Sequence, residues 1–154
     1  MAELILMVLG GMAGSLGLSI VFGIRPRRLP CAALAVFVTC VTYVLLRDFG
    51  AFLSNAAALF VGTLFCEFAA RVQRAPVVTF LTPAAITLAP GGVLYHTVSS
   101  FMYKQYDATR AYGQETVETC LGIAAGILVA SLIAGAFFAL LRQIRLRGGH
   151  KGAA

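Results

Sequence analysis

Five long apolar stretches leave this chain almost no choice of solvent. Residues 4–24, 29–46 and 119–141 carry no charged side chain over 21, 18 and 23 residues; residues 49–70 carry one in 22; residues 77–103 carry none in 27. A helix needs about 20 apolar residues, within a range of roughly 17–25, to cross the ~30 Å hydrocarbon core of a bilayer. Hydrocarbon offers no partner for backbone N–H and C=O groups, so a segment of this kind satisfies them internally, as a helix. The composition agrees. Only 12% of the residues are charged, about half the share of a soluble domain, too few to cover a water-facing surface. The sequence therefore predicts an all-α, polytopic integral membrane protein with five transmembrane helices. The membrane domain covers residues 1–141, and a basic cytoplasmic tail covers 142–154. The first stretch reads as a retained span rather than a signal peptide. Glu3 stands where a basic residue would be, no A-x-A site follows, and the next span starts four residues later.

The basic residues sit at the ends of the apolar runs, and they orient the chain. With five crossings, Arg25, Arg27, Arg28, Arg71, Arg74, Arg142, Arg145, Arg147 and Lys151 collect on one side, while Arg47, Lys104 and Arg110 collect on the other. The side richer in Lys and Arg faces the cytoplasm. The N-terminus is then outside, and the tail inside. If residues 77–103 did not cross, the tail would move outside with its four basic residues and the asymmetry would be lost.

Other classes of function find little support. The net charge of +6 follows the span ends rather than one basic face, which argues against nucleic-acid binding. Cys31, Cys40, Cys66 and Cys120 form no CxxC pair and no zinc spacing, and read as small buried hydrophobes. No HExxH and no P-loop occurs. The run Ala13-Gly14-Ser15-Leu16-Gly17 falls short of GxSxG at position 13. No enzyme activity, cofactor or metal site is expected.

The stretch 77–103 departs from the other four. As one helix it would reach ~40 Å, and it contains Pro83, Pro90, Gly91 and Gly92. A proline removes its own N–H and frees the carbonyl four residues earlier, here those of Thr79 and Ile86. The glycine pair lets the backbone leave helical geometry cheaply. The expectation is two half-helices, about 77–88 and 93–103, joined near the mid-plane. Irregular backbone at membrane depth survives where it is buried in protein or lines a wet cavity. Transporters use such breaks, aiming the N–H groups of a half-helix at an anionic group of the solute. Thr79, Pro83, Thr87 and Pro90 repeat at helical spacing on the first half, as do Tyr95, Ser99, Tyr103 and Tyr106 on the second. One reading makes these hydroxyls solute ligands. The other makes them side chains bonded back to their own helix. The candidate solute-binding residues are Thr79, Pro83, Thr87, Pro90, Gly91, Gly92, Tyr95, His96 and Ser99.

Four further features carry two readings each. Glu67 is a candidate proton-coupling carboxylate, because acids within spans are costly; it is also placed to pair with Arg71 at i,i+4. His96 can be a proton-sensitive ligand or a neutral packing residue. Asn55 can cap or bind. Gly10 and Gly14, and the ladder Gly122, Gly126, Ala130 and Ala134, place small residues on one helix face. Close helix packing is favoured over a sliding transport interface there.

Ala75-Pro76, Phe80-Leu81-Thr82-Pro83, Leu88-Ala89-Pro90-Gly91-Gly92 and Leu94-Tyr95 together resemble the threonine/serine exporter family. The closer resemblance is to its small, YjjB-like subunit. Cys31-Ala32-Ala33 after a basic turn and the Glu67–Arg71 helix end also fit, so the likeness covers nearly the whole chain. It implies a bacterial inner-membrane subunit that works with a larger subunit of the same family, supplying the other half of the membrane domain; further oligomerisation is left open. It implies secondary export of threonine and serine driven by the proton gradient, while some two-subunit members are linked to succinate. A second carboxylate would need a cation, and no Lys or Arg lies within a span, which favours amino acids. A non-transporting scaffold, held by the Gly/Ala ladders and short loops, is the remaining alternative.

Overall fold

The computed structural model describes residues 10–149 except 15, 16, 18 and 22, with side chains through residue 140. Among these residues the chain is wholly helical, with no strand. A short apolar helix, Gly10–Val21 (α1), lies in the first apolar stretch; the rest of that predicted span, including residues 4–9, falls outside the described set. A 3-10 turn over Pro26–Arg28 leads into Leu29–Leu46 (α2), and a second over Arg47–Phe49 leads into Ala51–Val72 (α3). Val78–Thr87 (α4), Gly91–Met102 (α5) and Tyr106–Gly149 (α6) complete the order. Three of these elements are long and apolar enough to cross a membrane, namely α2 with its flanking turns, α3, and Tyr106–Leu140 of α6. The pair α4 and α5 passes the same test jointly, bent by 45°.

Helix ends close on their own backbone. The amides of Gly23 and Ile24 donate to the carbonyls of Ile20 and Ser19, the paired bonds of a Schellman turn, and Gly23 takes the positive φ of 68° that this turn requires. The same pairs of bonds end α3 at Arg74 and α5 at Lys104, where non-glycine residues adopt φ of 48° and 57°. Each cap satisfies carbonyls that would otherwise face hydrocarbon or its boundary.

The core lies between α2, α3 and α4. Ala32 and Ala35 of α2, Cys66, Ala69 and Ala70 of α3, and Phe80 of α4 form one buried cluster. Val36 and Cys40 of α2 with Ala84 of α4 form a second. Small residues dominate both clusters, so the helices approach closely and gain dispersion contacts rather than relying on an aqueous hydrophobic effect that lipid does not supply. Outward side chains such as Leu34, Phe37, Leu45, Phe68, Leu128, Leu132 and Phe137 are exposed, as suits helices surrounded by an apolar medium.

The glycine ladder is the seam between α3 and α6. A Cβ on Gly122 would strike the Phe52 carbonyl, and one on Gly126 the Ala56 carbonyl. At the other end, the Arg71 guanidinium lies 3.4 Å from the centre of the Phe138 ring. Residue numbers rise together on both helices, so α3 and α6 run parallel. The intervening chain must therefore return along the depth of the domain, and α4 and α5 carry it back.

Three expectations are corrected here. Residues 104–118, left between the fourth and fifth apolar stretches, are not a separate connection: α6 begins at Tyr106 and continues for 44 residues. Ala, Gln, Arg and Glu in that stretch are good helix formers, and Gln114 donates to Glu118 at i,i+4, but a reading based on apolarity does not register a polar helix. By the register of the seam, Thr119 lies level with Ala51. The first ~20 Å of α6 thus extends past the end of α3, and α5 packs antiparallel along it, with Thr97 beside Thr116 and Gly113. Second, the break is Leu88–Pro90, and Gly91 and Gly92 are the first residues of α5. Neither glycine takes a positive φ, so their backbone freedom is not what makes the break. Third, the break sits near the end of α3, beside Ala51 and Asn55, rather than midway along it.

Candidate functional site

Two cavities lie along α4. The first has a volume of about 670 Å³ and is lined by Arg25 and Arg28 from the turn before α2 and by Thr79, Thr82 and Pro83 of α4. The second is smaller, about 210 Å³, and surrounds the break. Its walls are Tyr43 of α2, Ala51 and Asn55 of α3, Thr87 through Pro90, Gly92 and Val93 of α5, and Glu115 and Thr119 of α6. At ~30 Å³ per water this holds about seven waters, the size class of a solute with eight heavy atoms such as threonine.

The chemistry of the break cavity follows from its backbone. Pro90 is the N-cap of α5 and contributes no side-chain cap. The Gly91 amide turns back to the Ala89 carbonyl at 2.8 Å, and the Leu94 amide makes the first intrahelical bond, to Pro90 at 2.9 Å. The amides of Gly92 and Val93 are left without a hydrogen-bond partner among the described residues. They form the positive end of a 12-residue helix. A Cβ at Gly91 or Gly92 would meet nothing within 4 Å, so both positions border open space and the missing side chains leave those amides uncovered. The carbonyl of Ile86, expected to be free, instead accepts from the Ala89 amide at 3.1 Å. A tight turn at the end of α4 supplies the donor that Pro90 lacks.

Asn55 is 3% exposed, and its Nδ2 donates to the Ala51 carbonyl at 2.7 Å. A carbonyl can only accept, so the amide orientation is determined, and Oδ1 accepts from no described residue. Asn55 is thus a wall of the cavity and not a helix cap. The Thr87 hydroxyl donates to the Pro83 carbonyl at 2.8 Å, which uses its proton and leaves its lone pairs as acceptors.

The predicted site residues separate into three groups. Thr79 and Pro83 line the arginine cavity. Thr87, Pro90 and Gly92 line the break cavity, with Gly91 beside them at the start of α5. Tyr95, His96 and Ser99 line neither cavity. Tyr95 is 68% exposed and meets His96 edge-on, with ring centroids 5.7 Å apart, while His96 stacks on Tyr112 at 5.4 Å. Tyr103 closes α5 and Tyr106 opens α6, so the tyrosine stripe does not continue along one helix. Glu67 lies outside both cavities, 3.6 Å from Arg71.

Sequence reasoning missed Arg25, Arg28, Tyr43, Thr119 and Glu115 as cavity residues. The arginines were legible only as topology signals. Glu115 falls between two apolar stretches, and only the helical continuation of α6 brings it against the start of α5.

In comparison with known proteins, the family model for the threonine/serine exporter, ThrE, matches residues 7–133, well over half of the chain. No curated protein and no solved structure matches it.

Proposed function

The chain belongs to the threonine/serine exporter family, and on that footing we propose that it is the membrane subunit of a two-component secondary exporter of small polar metabolites, threonine and serine foremost. The family is one of transporters rather than enzymes, and the chain is a multi-pass membrane protein with helices of spanning length. The observation that carries the finer reading is the break cavity. An interrupted helix, two uncovered backbone amides and a buried asparagine converge on a space of amino-acid size. Interrupted helices with half-helix N-termini aimed at the solute recur in secondary transporters.

Several observations support a route along α4. The arginine cavity opens beside the turn that the positive-inside rule assigns to the cytoplasm, where two guanidinium groups draw in a carboxylate-bearing solute. Thr79 and Pro83 lead away from it, and Thr87 and Pro90 enter the break cavity. Five crossings follow if α1 spans the membrane and if α4 and α5 together make one crossing. The parallel run of α3 and α6 supports the latter. A larger subunit of the same family is the partner. Gly10 and Gly14, with nothing within 4 Å, and the exposed Leu94, Val98, Phe101 and Met102 of α5 are left for that subunit and for lipid. The bacterial inner membrane, with the tail inside, is the location consistent with this assembly.

Efflux from cells lacking the chain, alone or with its partner, tests the proposal. Threonine and serine efflux should fall, and succinate efflux should hold. Unchanged efflux of all three solutes would overturn it.

A further inference from the structure

The walls of the break cavity carry one full charge, and it is negative. Glu115 lines the cavity together with Gly92 and Val93, and among the described residues it has neither an ion-pair nor a hydrogen-bond partner. No lysine, arginine or histidine lines the same space. The other polar wall groups are Asn55, Thr87, Thr119 and Tyr43. Asn55 is the independent sign that a ligand belongs there: it is a carboxamide 3% exposed that lines the cavity, and its oxygen accepts from no described residue.

Resting on the exporter reading, we propose that Glu115 is the ammonium acceptor of the solute site and selects zwitterionic amino acids against dicarboxylates. The carboxylate of the solute takes the Gly92 and Val93 amides at the positive end of α5. Its ammonium group takes the Glu115 carboxylate, a charge-assisted pair at the open side of the cavity, where Glu115 is itself exposed. A hydroxyl on the solute side chain can donate to the Asn55 oxygen. These two charged ends match a molecule bearing both signs. A second carboxylate would meet Glu115 with like charge and find no cation in the cavity, so a dicarboxylate of the same size is excluded by repulsion rather than by volume.

The test separates the ammonium from the rest of the solute. Binding is read as ligand-induced thermal stabilisation of the purified full chain, with any co-purifying subunit, in lipid nanodiscs. The probes are threonine and 3-hydroxybutyrate, which is threonine without its amino group. The native chain should bind threonine more tightly than 3-hydroxybutyrate. Glu115→Gln should weaken threonine by about two- to five-fold, the scale of an exposed charge pair, and leave 3-hydroxybutyrate unchanged or slightly tighter, since an anion no longer meets a like charge. Glu115→Asp should keep part of the preference. Equal weakening of both probes, or of neither, would overturn the assignment. If threonine efflux depends on the chain in cells while Glu115→Gln retains the preference for the ammonium, this inference fails and the exporter reading stands. If the native chain binds no threonine and efflux is also independent of it, both fall.

Discussion

Two pairs of glycines in this chain do opposite work. Gly122 and Gly126 press against the backbone of α3, with no room for even a methyl group between them and the Phe52 and Ala56 carbonyls. Gly91 and Gly92 have nothing within 4 Å of where a Cβ would stand. At the seam, glycine permits contact between helices, and contact is what holds helices together in lipid. At the break, glycine leaves two amides accessible. Both pairs lie in helical conformation, so the distinction lies in what each glycine faces.

The sharpest way to break the comparison is to put bulk into the seam. Gly126→Leu drives a side chain into the α3 backbone, which cannot rotate away as a flexible side chain would. Overpacking costs roughly 1–3 kcal/mol where neighbours can shift, and this site should lie at or beyond the upper end. Loss of the monodisperse folded fraction in detergent is expected. A fully folded Gly126→Leu protein would show that α3 and α6 are not in register as described. Next in size is Gly92→Val at the break. Stability should stay within about 1 kcal/mol of the native chain, since valine has the higher helix propensity and meets no atom. Flux of threonine should nevertheless fall severely, because the branched side chain enters the cavity and covers the amides of α5. A scaffold protein would lose little by this change, so preserved flux would favour that alternative.

The two regions were not equally legible. The seam announced itself through a four-residue period, Gly122 to Gly126 to Ala130 to Ala134, and Ala130 and Ala134 are indeed buried. The Glu67–Arg71 pair was readable for the same reason, since helical spacing alone places i and i+4 together. The interruption of the fourth stretch was visible in Pro90 and its place along the chain with it, but its level beside the start of α3 was not. Glycine was credited with the bend when a proline-capped helix start accommodates two glycines in ordinary helical geometry. The polar start of α6 was invisible to any reading that equates structure in a membrane protein with apolarity. Glu115 went unrecognised with it, because its proximity to Gly92 depends on a helix that extends past the end of α3. Arg25 and Arg28 were legible as signals of sidedness, and that reading masked their second position, on the wall of a cavity.

The smallest expected effect is at Glu67, and it tests whether function is confined to the break. The Glu67 side chain is 16% exposed and that of Arg71 48%, so the pair is only partly shielded and contributes ~0.5 kcal/mol, as i,i+4 pairs do. Arg71 also lies over Phe138, a cation–π contact that survives loss of the carboxylate and still ties α3 to α6. Glu67→Gln should therefore lower thermal stability slightly and leave the pH dependence of threonine flux as it is. Should the variant instead lose that pH dependence, Glu67 carries the coupled proton. The α3–α6 seam would then take part in transport, and the separation between a packing region and a working region would not hold.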